Sequence, residues 1–336
     1  MANLMNKNRF YASFYGLAVA DALGVPVEFM TREELQEDPV TDMREYGTYS
    51  QPKGTWSDDT SMSLATLSVL SEKYFSYSKI CNEFANWYQN AKFTPYGETF
   101  DIGNTTVQAI YHYLLGAKPL ECGLSEETSN GNGSLMRMLP VLHFIYLEHW
   151  EDDNRITLFA REFIYNLSAL THAHKLSKMA CLYYVYIGGY ILKYADTMTL
   201  PQIIEKAIRH IDKYYYQNNE EIVIYNYMQT ENLLTSLSLN RNQLKSTGFV
   251  IHSLEASIWC LYNTKSYKDA VLKAVNLGED TDTIGAITGS LAGLYYGLDS
   301  IPKEWMDNLQ NKALIDEICD RFYAKYKLKK TAIILN

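Results

Sequence analysis

Apolar residues recur at mixed three- and four-residue spacing over residues 8–23, 59–75, 78–90, 104–115, 155–168, 175–194, 201–215, 248–262, 267–276 and 283–297. That period places them along one face of a helix. The chain has only eight prolines, and they fall mostly between these stretches, where they separate elements and leave helix interiors clear. No comparable series of alternating Val, Ile and Thr bounded by Asn-Gly or Asp-Gly turns occurs, so the pattern predicts an all-α fold. No Pro/Gly/Ser-rich linker and no internal repeat divides the sequence, and residues 1–336 read as one domain. The stretch from about 190 to 247 is more polar and rich in Asn, Gln and Tyr, which suits a peripheral helical insertion.

The stretch at 283–297 carries a second pattern: Gly285, Gly289, Gly293 and Gly297 recur every four residues. One face of that helix is bare of side chains despite the propensity cost of each glycine, which predicts another helix packed closely against it. A membrane helix pair would show the same spacing, but Glu279, Asp280 and Asp282 adjoin the stretch and it is too short to span. The 28 tyrosines suit helix packing with the hydroxyl at the surface.

Composition narrows the function classes. Hydrophobic residues make up 47% and charged residues 21% of the chain, the usage of a globular protein with a sizeable core. A formal net charge of −9 without any basic stripe makes nucleic acid an unexpected partner. The five cysteines are spread out, odd in number and without C-x-x-C spacing, so they read as buried thiols. With no signal-like segment at the N-terminus and no run of eighteen apolar residues, a cytoplasmic protein with no membrane partner is expected.

Two acidic motifs carry candidate chemistry. In Gly54-Thr-Trp-Ser-Asp-Asp-Thr60, two adjacent carboxylates and two hydroxyls precede an apolar run, either as a helix cap or as oxygen ligands for a hard cation. In Asn276-Leu-Gly-Glu-Asp-Thr-Asp-Thr-Ile-Gly285, Glu279, Asp280 and Asp282 crowd together ahead of the glycine-striped helix. Such mutual repulsion is relieved either by bound cations or by solvent.

With Phe14-Tyr-Gly-Leu-Ala-Val-Ala-Asp-Ala-Leu-Gly-Val-Pro-Val-Glu28, Phe100-Asp-Ile-Gly-Asn-Thr-Thr106 and Gly131-Asn-Gly-Ser-Leu-Met-Arg-Met-Leu-Pro140, these two motifs make five segments in which the sequence resembles the ADP-ribosylglycohydrolase family. The resemblance covers residues 14 to about 297. It implies a compact, single-domain helical fold with a binuclear metal cleft, two divalent cations (Mg²⁺ or Mn²⁺), and removal of ADP-ribose from a modified acceptor, with arginine on protein as the default linkage. An ADP-ribosylated protein or a small ADP-ribosyl compound is the implied partner.

Carried over residue by residue, the resemblance implies Ser57, Asp58, Asp59, Asp280, Asp282 and Thr283 as metal ligands. Ser57 stands where many relatives have Thr and keeps the oxygen. Glu28, Asp101 and Asp59 are the implied catalytic carboxylates, with Glu28 or Asp101 moving protons or positioning ribose. On residue chemistry alone, Asp21 is equally a helix-end residue, Glu28 a surface charge and Asp101 a helix cap.

Gly131, Asn132, Gly133 and Ser134 form a small-residue loop whose amides can approach a diphosphate ahead of a following helix N-terminus; a plain turn is the alternative. Arg137 reads as structural, paired with a carboxylate. His172, in Thr171-His172-Ala-His174, is either a ribose or phosphate contact or a buried hydrogen-bonded residue; the Pro usual after the family's Thr-His is missing. Gly248 and Phe249 resemble a further cleft segment, and Phe249 is equally a core residue.

Two other readings compete. A two-metal phosphoester or nucleotide hydrolase would also gather carboxylates, but none of the seven histidines is followed by Asp. A non-catalytic ADP-ribose binder of the same fold would be expected to show broken ligand positions, and every one is intact.

Overall fold

The computed structural model describes residues 5–215 and 233–334. In chain order the helices are α1 (Lys7–Gly24), α2 (Glu34–Glu37), α3 (Asp58–Leu70), α4 (Tyr77–Asn90), α5 (Asn104–Leu114), α6 (Leu139–Glu148), α7 (Leu158–Ala169) and α8 (Lys175–Tyr194). They continue as α9 (Leu200–Tyr215), α10 (Leu233–Ser236), α11 (Val250–Tyr262), α12 (Tyr267–Val275), α13 (Thr281–Tyr296), α14 (Lys303–Asn308) and α15 (Lys312–Ile334). Among the described residues the only β pairing is a handful of isolated bridges, so the fold is all-α as the spacing predicts.

The helix that covers the glycine stripe is α1. A Cβ at Gly289 would lie 2.2 Å from the Gly16 carbonyl oxygen, and one at Gly293 would lie 2.1 Å from that of Ala12. The face of α1 is matched: a Cβ at Gly16 would meet the Gly289 carbonyl at 2.4 Å, and one at Gly24 would lie 2.3 Å from Asp282 Cα. The two backbones therefore touch along most of their length, and only glycine fits at the crossing. This contact sets the register that brings the first turn of α13 against the last turn of α1. By length and composition α1 resembles a membrane span, but from Phe10 to Gly24 it is buried inside the protein. An apolar surface on every side is what a central helix needs.

Around this pair, α8 is buried along most of its length and α11, α12 and α3 complete the core. The outer helices have one apolar face each. On α9, Leu200, Ile203, Ile204, Ala207, Ile208 and Ile211 are buried, and the helix lies against α8. Residues 200–215 of the polar stretch thus belong to the main core, while its residues 216–232 lie outside the described residues. Two long helices lie outside the periodic stretches named above. Helix α6 is apolar on nearly every side with Pro140 in its first turn, and α15 buries Ile315, Ile318, Cys319 and Phe322 against α1 and α3.

Candidate active site

Two helix N-termini and one helix C-terminus meet at the buried end of the α1–α13 contact. Asp21 lies in the last turn of α1, and its carboxylate accepts from the Ser57 amide at 2.9 Å, the Thr60 amide at 3.1 Å and the Thr60 hydroxyl at 2.6 Å. It thereby closes the start of α3, whose N-cap is Ser57 and whose first turn holds Asp58 and Asp59. Carboxylates in a first turn gain from the free amides and the helix dipole. Asp59 Oδ2 accepts from the Ser57 hydroxyl at 3.1 Å and from the Thr283 hydroxyl at 3.2 Å, which joins α3 to α13. Asp280 is the N-cap of α13, and Asp282 sits in its first turn.

Carboxylate oxygens of Asp21, Asp59 and Asp282 lie within 4.8 Å of one another, as do those of Glu28, Asp280 and Asp282, so Asp282 belongs to both groups. Asp21, Asp59 and Asp282 are fully buried, and Glu28, Asp58 and Asp280 are nearly so. Among the described residues no Lys, Arg or His forms an ion pair with any of them. Glu28 Oε2, Asp59 Oδ1 and Asp282 Oδ2 are buried without a hydrogen-bond partner among the described residues.

The electrostatics follow. Burial, reinforced by neighbouring carboxylates, pushes Asp58, Asp59 and Asp282 well above the usual carboxylate range. Burial and the charges of Asp101 and Asp280 raise Glu28 to about 9. Asp21 rises to about 7 by burial, against the hydrogen bonds from Thr60 and Ser57, and Asp280 to about 6, against the one from Asn132. A buried, oxygen-only cluster with unpartnered carboxylate oxygens suits hard divalent cations, which supply the missing positive charge.

The cluster floors a cleft of about 510 Å³, within the size range of small-molecule sites. One wall is the Gly131–Gly133 loop with His172, joined to the 247–249 segment by the Gly131–Phe249 bridge and by the Asn132 amide donating to the Gly248 carbonyl at 3.0 Å. The opposite wall is Asp101 to Thr106, where α5 starts at Gly103 with no side-chain cap. Free amides and a helix dipole facing a cleft favour a phosphate group. At the mouth Phe29 is exposed at φ +66°, held by its amide donating to the Glu279 carbonyl and its neighbour Met30 accepting from the Glu279 amide, both at 2.7 Å.

The family model for ADP-ribosylglycohydrolase matches residues 3–332. The chain belongs to this family. It is 30% identical over 318 residues to ADP-ribosylarginine hydrolase Tri1 of Serratia proteamaculans (strain 568), covering 92% of this chain and 77% of that protein. It is 28% identical over 325 residues to the ADP-ribosyl-[dinitrogen reductase] glycohydrolase of Rhodospirillum rubrum, covering 91% of each. A solved structure titled ADP-ribosylglycohydrolase-related protein complex has the same fold, with TM-score 0.73 and 24% identity over 96% of this chain and 98% of that one. As an ADP-ribosylglycohydrolase, the protein is a hydrolase that removes ADP-ribose from an acceptor.

The cleft of this glycohydrolase gathers most of the residues singled out by sequence. Glu28, Asp58, Asp101, Gly131, Asn132, Gly133, His172, Gly248, Asp280 and Thr283 all line it. Several expectations are corrected. Glu28 is buried, so it is no surface charge. Asp101 does not cap α5; it sits at φ +55° and accepts from the Tyr49 hydroxyl at 2.5 Å. Ser57, Asp59 and Asp282 lie behind the cleft lining, beneath its floor. Ser134 turns inward, where its hydroxyl meets those of Ser168 and the Cys181 thiol, because the loop continues as tight turns with its side chain under them. For the same reason the helix after the loop starts only at Leu139, with a buried first turn that does not reach the cleft.

Phe249 packs on the core and against His252, also off the lining. Asn132 lines the cleft, but its amide nitrogen donates to Asp280 Oδ2 at 2.6 Å and Ser253 Oγ at 2.9 Å, which orients the carboxylate. Among the described residues Arg137 pairs with no carboxylate; it binds carbonyls and Thr171. No sequence motif points to Tyr49 or to the α5 amides, and Asp21 reads from sequence as a helix-end residue. Only the uncapped Gly103-Asn-Thr-Thr start of α5 left a trace in the sequence.

Proposed function

We propose that this glycohydrolase removes ADP-ribose from arginine side chains of modified proteins, using two divalent cations, Mg²⁺ or Mn²⁺, in the buried carboxylate cluster. The observation that carries the reading is the set of unpartnered buried oxygens on Glu28, Asp59 and Asp282 at the cleft floor. Asp58, Asp59, Asp280 and Asp282, with Ser57 and Thr283, hold the cations, and the two carboxylate groupings add Asp21 and Glu28 to the candidates. Cations held there would supply Lewis acidity toward the ribose oxygens and a nearby water. Asp59 ties Ser57 and Thr283 together, and Asn132 orients Asp280, so the ligand set is rigid.

Proton transfer falls to the Glu28–Asp101 pair. Glu28 is within hydrogen-bonding reach of both Tyr49 and Asp101. Tyr49 donates to Asp101 Oδ1 and so holds that carboxyl group beside Glu28 at the cleft. A proton from this pair serves the departing guanidine nitrogen as the glycosidic bond breaks. The diphosphate lies along Gly131–Gly133 and the start of α5.

The name of a relative supports arginine as the acceptor: the Serratia protein is named an ADP-ribosylarginine hydrolase. Residues 1–336 would then form one domain. Five free thiols favour a reducing, cytoplasmic setting, and a net charge of −9 disfavours nucleic acid.

The test is to incubate the full-length protein with ADP-ribosyl-arginine and ADP-ribosyl-serine, in Mg²⁺, Mn²⁺ or chelator, and follow free ADP-ribose. Metal-dependent release from arginine is expected. Release of AMP instead, or release of ADP-ribose only from serine, would overturn the assignment.

A further inference from the structure

Beneath the Gly131–Gly133 loop lies a buried chain of polar groups that the reaction above does not use. Arg137 is fully buried, and its guanidinium can only donate. Nε donates to the Gly133 carbonyl at 3.2 Å, and Nη2 donates to the Leu167 carbonyl at 3.2 Å and to Thr171 Oγ1 at 2.7 Å. Its flat face covers the Phe84 ring at 4.7 Å, and Nη1 has no partner among the described residues. Burial lowers the guanidinium only to about 10, so it keeps its charge at neutral pH.

Because Thr171 Oγ1 accepts from Arg137, its single proton is directed elsewhere. The other hydrogen-bond neighbour of that hydroxyl among the described residues is His172 Nδ1, at 2.8 Å. Nδ1 must then be an acceptor, which leaves the imidazole proton on Nε2. The opposite tautomer would strand the Thr171 proton, without an acceptor, in a buried site.

Nε2 is the atom that reaches the cleft. A Cβ at either Gly131 or Gly133 would lie 3.5 Å from it, and among the described residues it has no hydrogen-bond partner. The ring is nine-tenths and more buried, and the backbone that carries it is pinned: the His172 amide donates to the Ser168 carbonyl at 2.8 Å, and the His172 carbonyl accepts from the Ser168 hydroxyl at 2.9 Å. Burial and the nearby Arg137 charge depress His172 to about 3, so the ring stays neutral.

We propose that Arg137 and Thr171 are positioning residues which fix His172 as the Nε2–H tautomer, so that it presents one directed donor to an acceptor oxygen of the ADP-ribosyl group. The ligand's identity rests on the function proposed above; the tautomer does not. The device places a full positive charge one hydrogen bond behind a neutral donor, which polarises that donor without setting a desolvated cation in the cleft wall.

The test reads the tautomer directly. Long-range ¹⁵N–¹H spectra of ¹⁵N-histidine-labelled full-length protein would be recorded, with the His172 signals identified by their loss in His172→Gln. Wild type and Thr171→Ser should carry the proton on Nε2, whereas Thr171→Val and Arg137→Met should show a population with it on Nδ1. ADP-ribose should bind about tenfold more weakly to Thr171→Val and Arg137→Met, the loss of about one hydrogen bond, with most of the affinity kept in Thr171→Ser.

If Thr171→Val or Arg137→Met fails to fold, the wild-type and Thr171→Ser spectra still decide: an Nδ1 proton in either overturns the relay. An unchanged tautomer and unchanged ADP-ribose binding in folded Thr171→Val would overturn it as well. Should the protein hydrolyse no ADP-ribosyl substrate at all, the function proposed above fails while the tautomer result stands on its own.

Discussion

The contact between α1 and α13 should be essential to both stability and metal affinity, and Gly289→Ala tests this with one methyl group. A Cβ at Gly289 would lie 2.2 Å from the Gly16 carbonyl oxygen and 2.5 Å from Ala20 Cβ. Neither neighbour is the end of a flexible side chain, so the helices themselves must separate. Restoring an ordinary carbon–oxygen contact takes a displacement of about 1 Å. Overpacking of this kind costs about 1–3 kcal/mol, and backbone obstruction puts it near the top of that range. Replacing a mid-helix glycine by alanine returns roughly 1 kcal/mol of helix propensity. The net is a loss of about 2 kcal/mol, read as a lower urea midpoint with an unchanged slope.

The same displacement pulls Asp282 away from Asp21 and Glu28, since Gly24 and Asp282 are in backbone contact at the far end of the pair. Metal affinity should therefore fall at least tenfold, measured by calorimetric titration of the chelated protein with Mn²⁺. Gly103→Ala serves as the stability control, because a Cβ there meets nothing within 4 Å. Wild-type stability together with wild-type metal affinity in Gly289→Ala would refute the reasoning.

Three further outcomes are expected. In chelator, Asp282→Asn should melt at or above the wild-type temperature, because it takes one acidic group out of a buried cluster of like groups, while losing the stabilisation that Mn²⁺ gives wild type. Asn132→Ala should lower metal affinity about 10–100-fold by freeing Asp280, with little change in the urea midpoint. The metal-free protein should become less stable as pH rises from about 6.5 to 9. Glu28, Asp21 and Asp280 are raised to about 9, about 7 and about 6 in the folded state, so the unfolded chain holds fewer protons in that window, and stability present at low pH is lost as pH climbs through the folded values. His143 and His172, depressed to about 3, act in the opposite sense but only below the unfolded histidine value of about 6.5. Urea midpoints in chelator at several pH values check the sign, and a rising midpoint across that window would contradict it.

Helix content was legible wherever one face is apolar and the other polar, as on α4 and α9. Helix α6 escaped because a helix apolar on nearly all sides shows no period. The spacing of Ile315, Ile318, Phe322 and Tyr326 was available for α15, which lies beyond the last motif. The glycine stripe announced a close partner helix but could not say which, since Gly16 and Gly24 sit in α1 at a spacing that means nothing until the two helices meet.

Within the site, the acidic motifs alone left helix caps and cation ligands equally open, and it was the resemblance to the family that named Ser57, Asp58, Asp59, Asp280, Asp282 and Thr283 as ligand candidates. Which atoms face the cleft was not visible. Asp59 and Ser134 point beneath it, Asn132 serves Asp280, and Tyr49 reaches Asp101 across 52 residues of sequence. These are properties of tertiary approach, and no spacing rule encodes them.

The most direct test of the metal-centred reading measures metal content and turnover in the same preparation. Full-length protein loaded with Mn²⁺ and freed of excess should carry two ions per chain by elemental mass spectrometry and release ADP-ribose from ADP-ribosyl-arginine. A folded Asp282→Ala variant should retain less than one ion and show no release. Full turnover in chelator, or wild-type turnover by Asp282→Ala, would contradict a catalytic role for the buried carboxylate cluster.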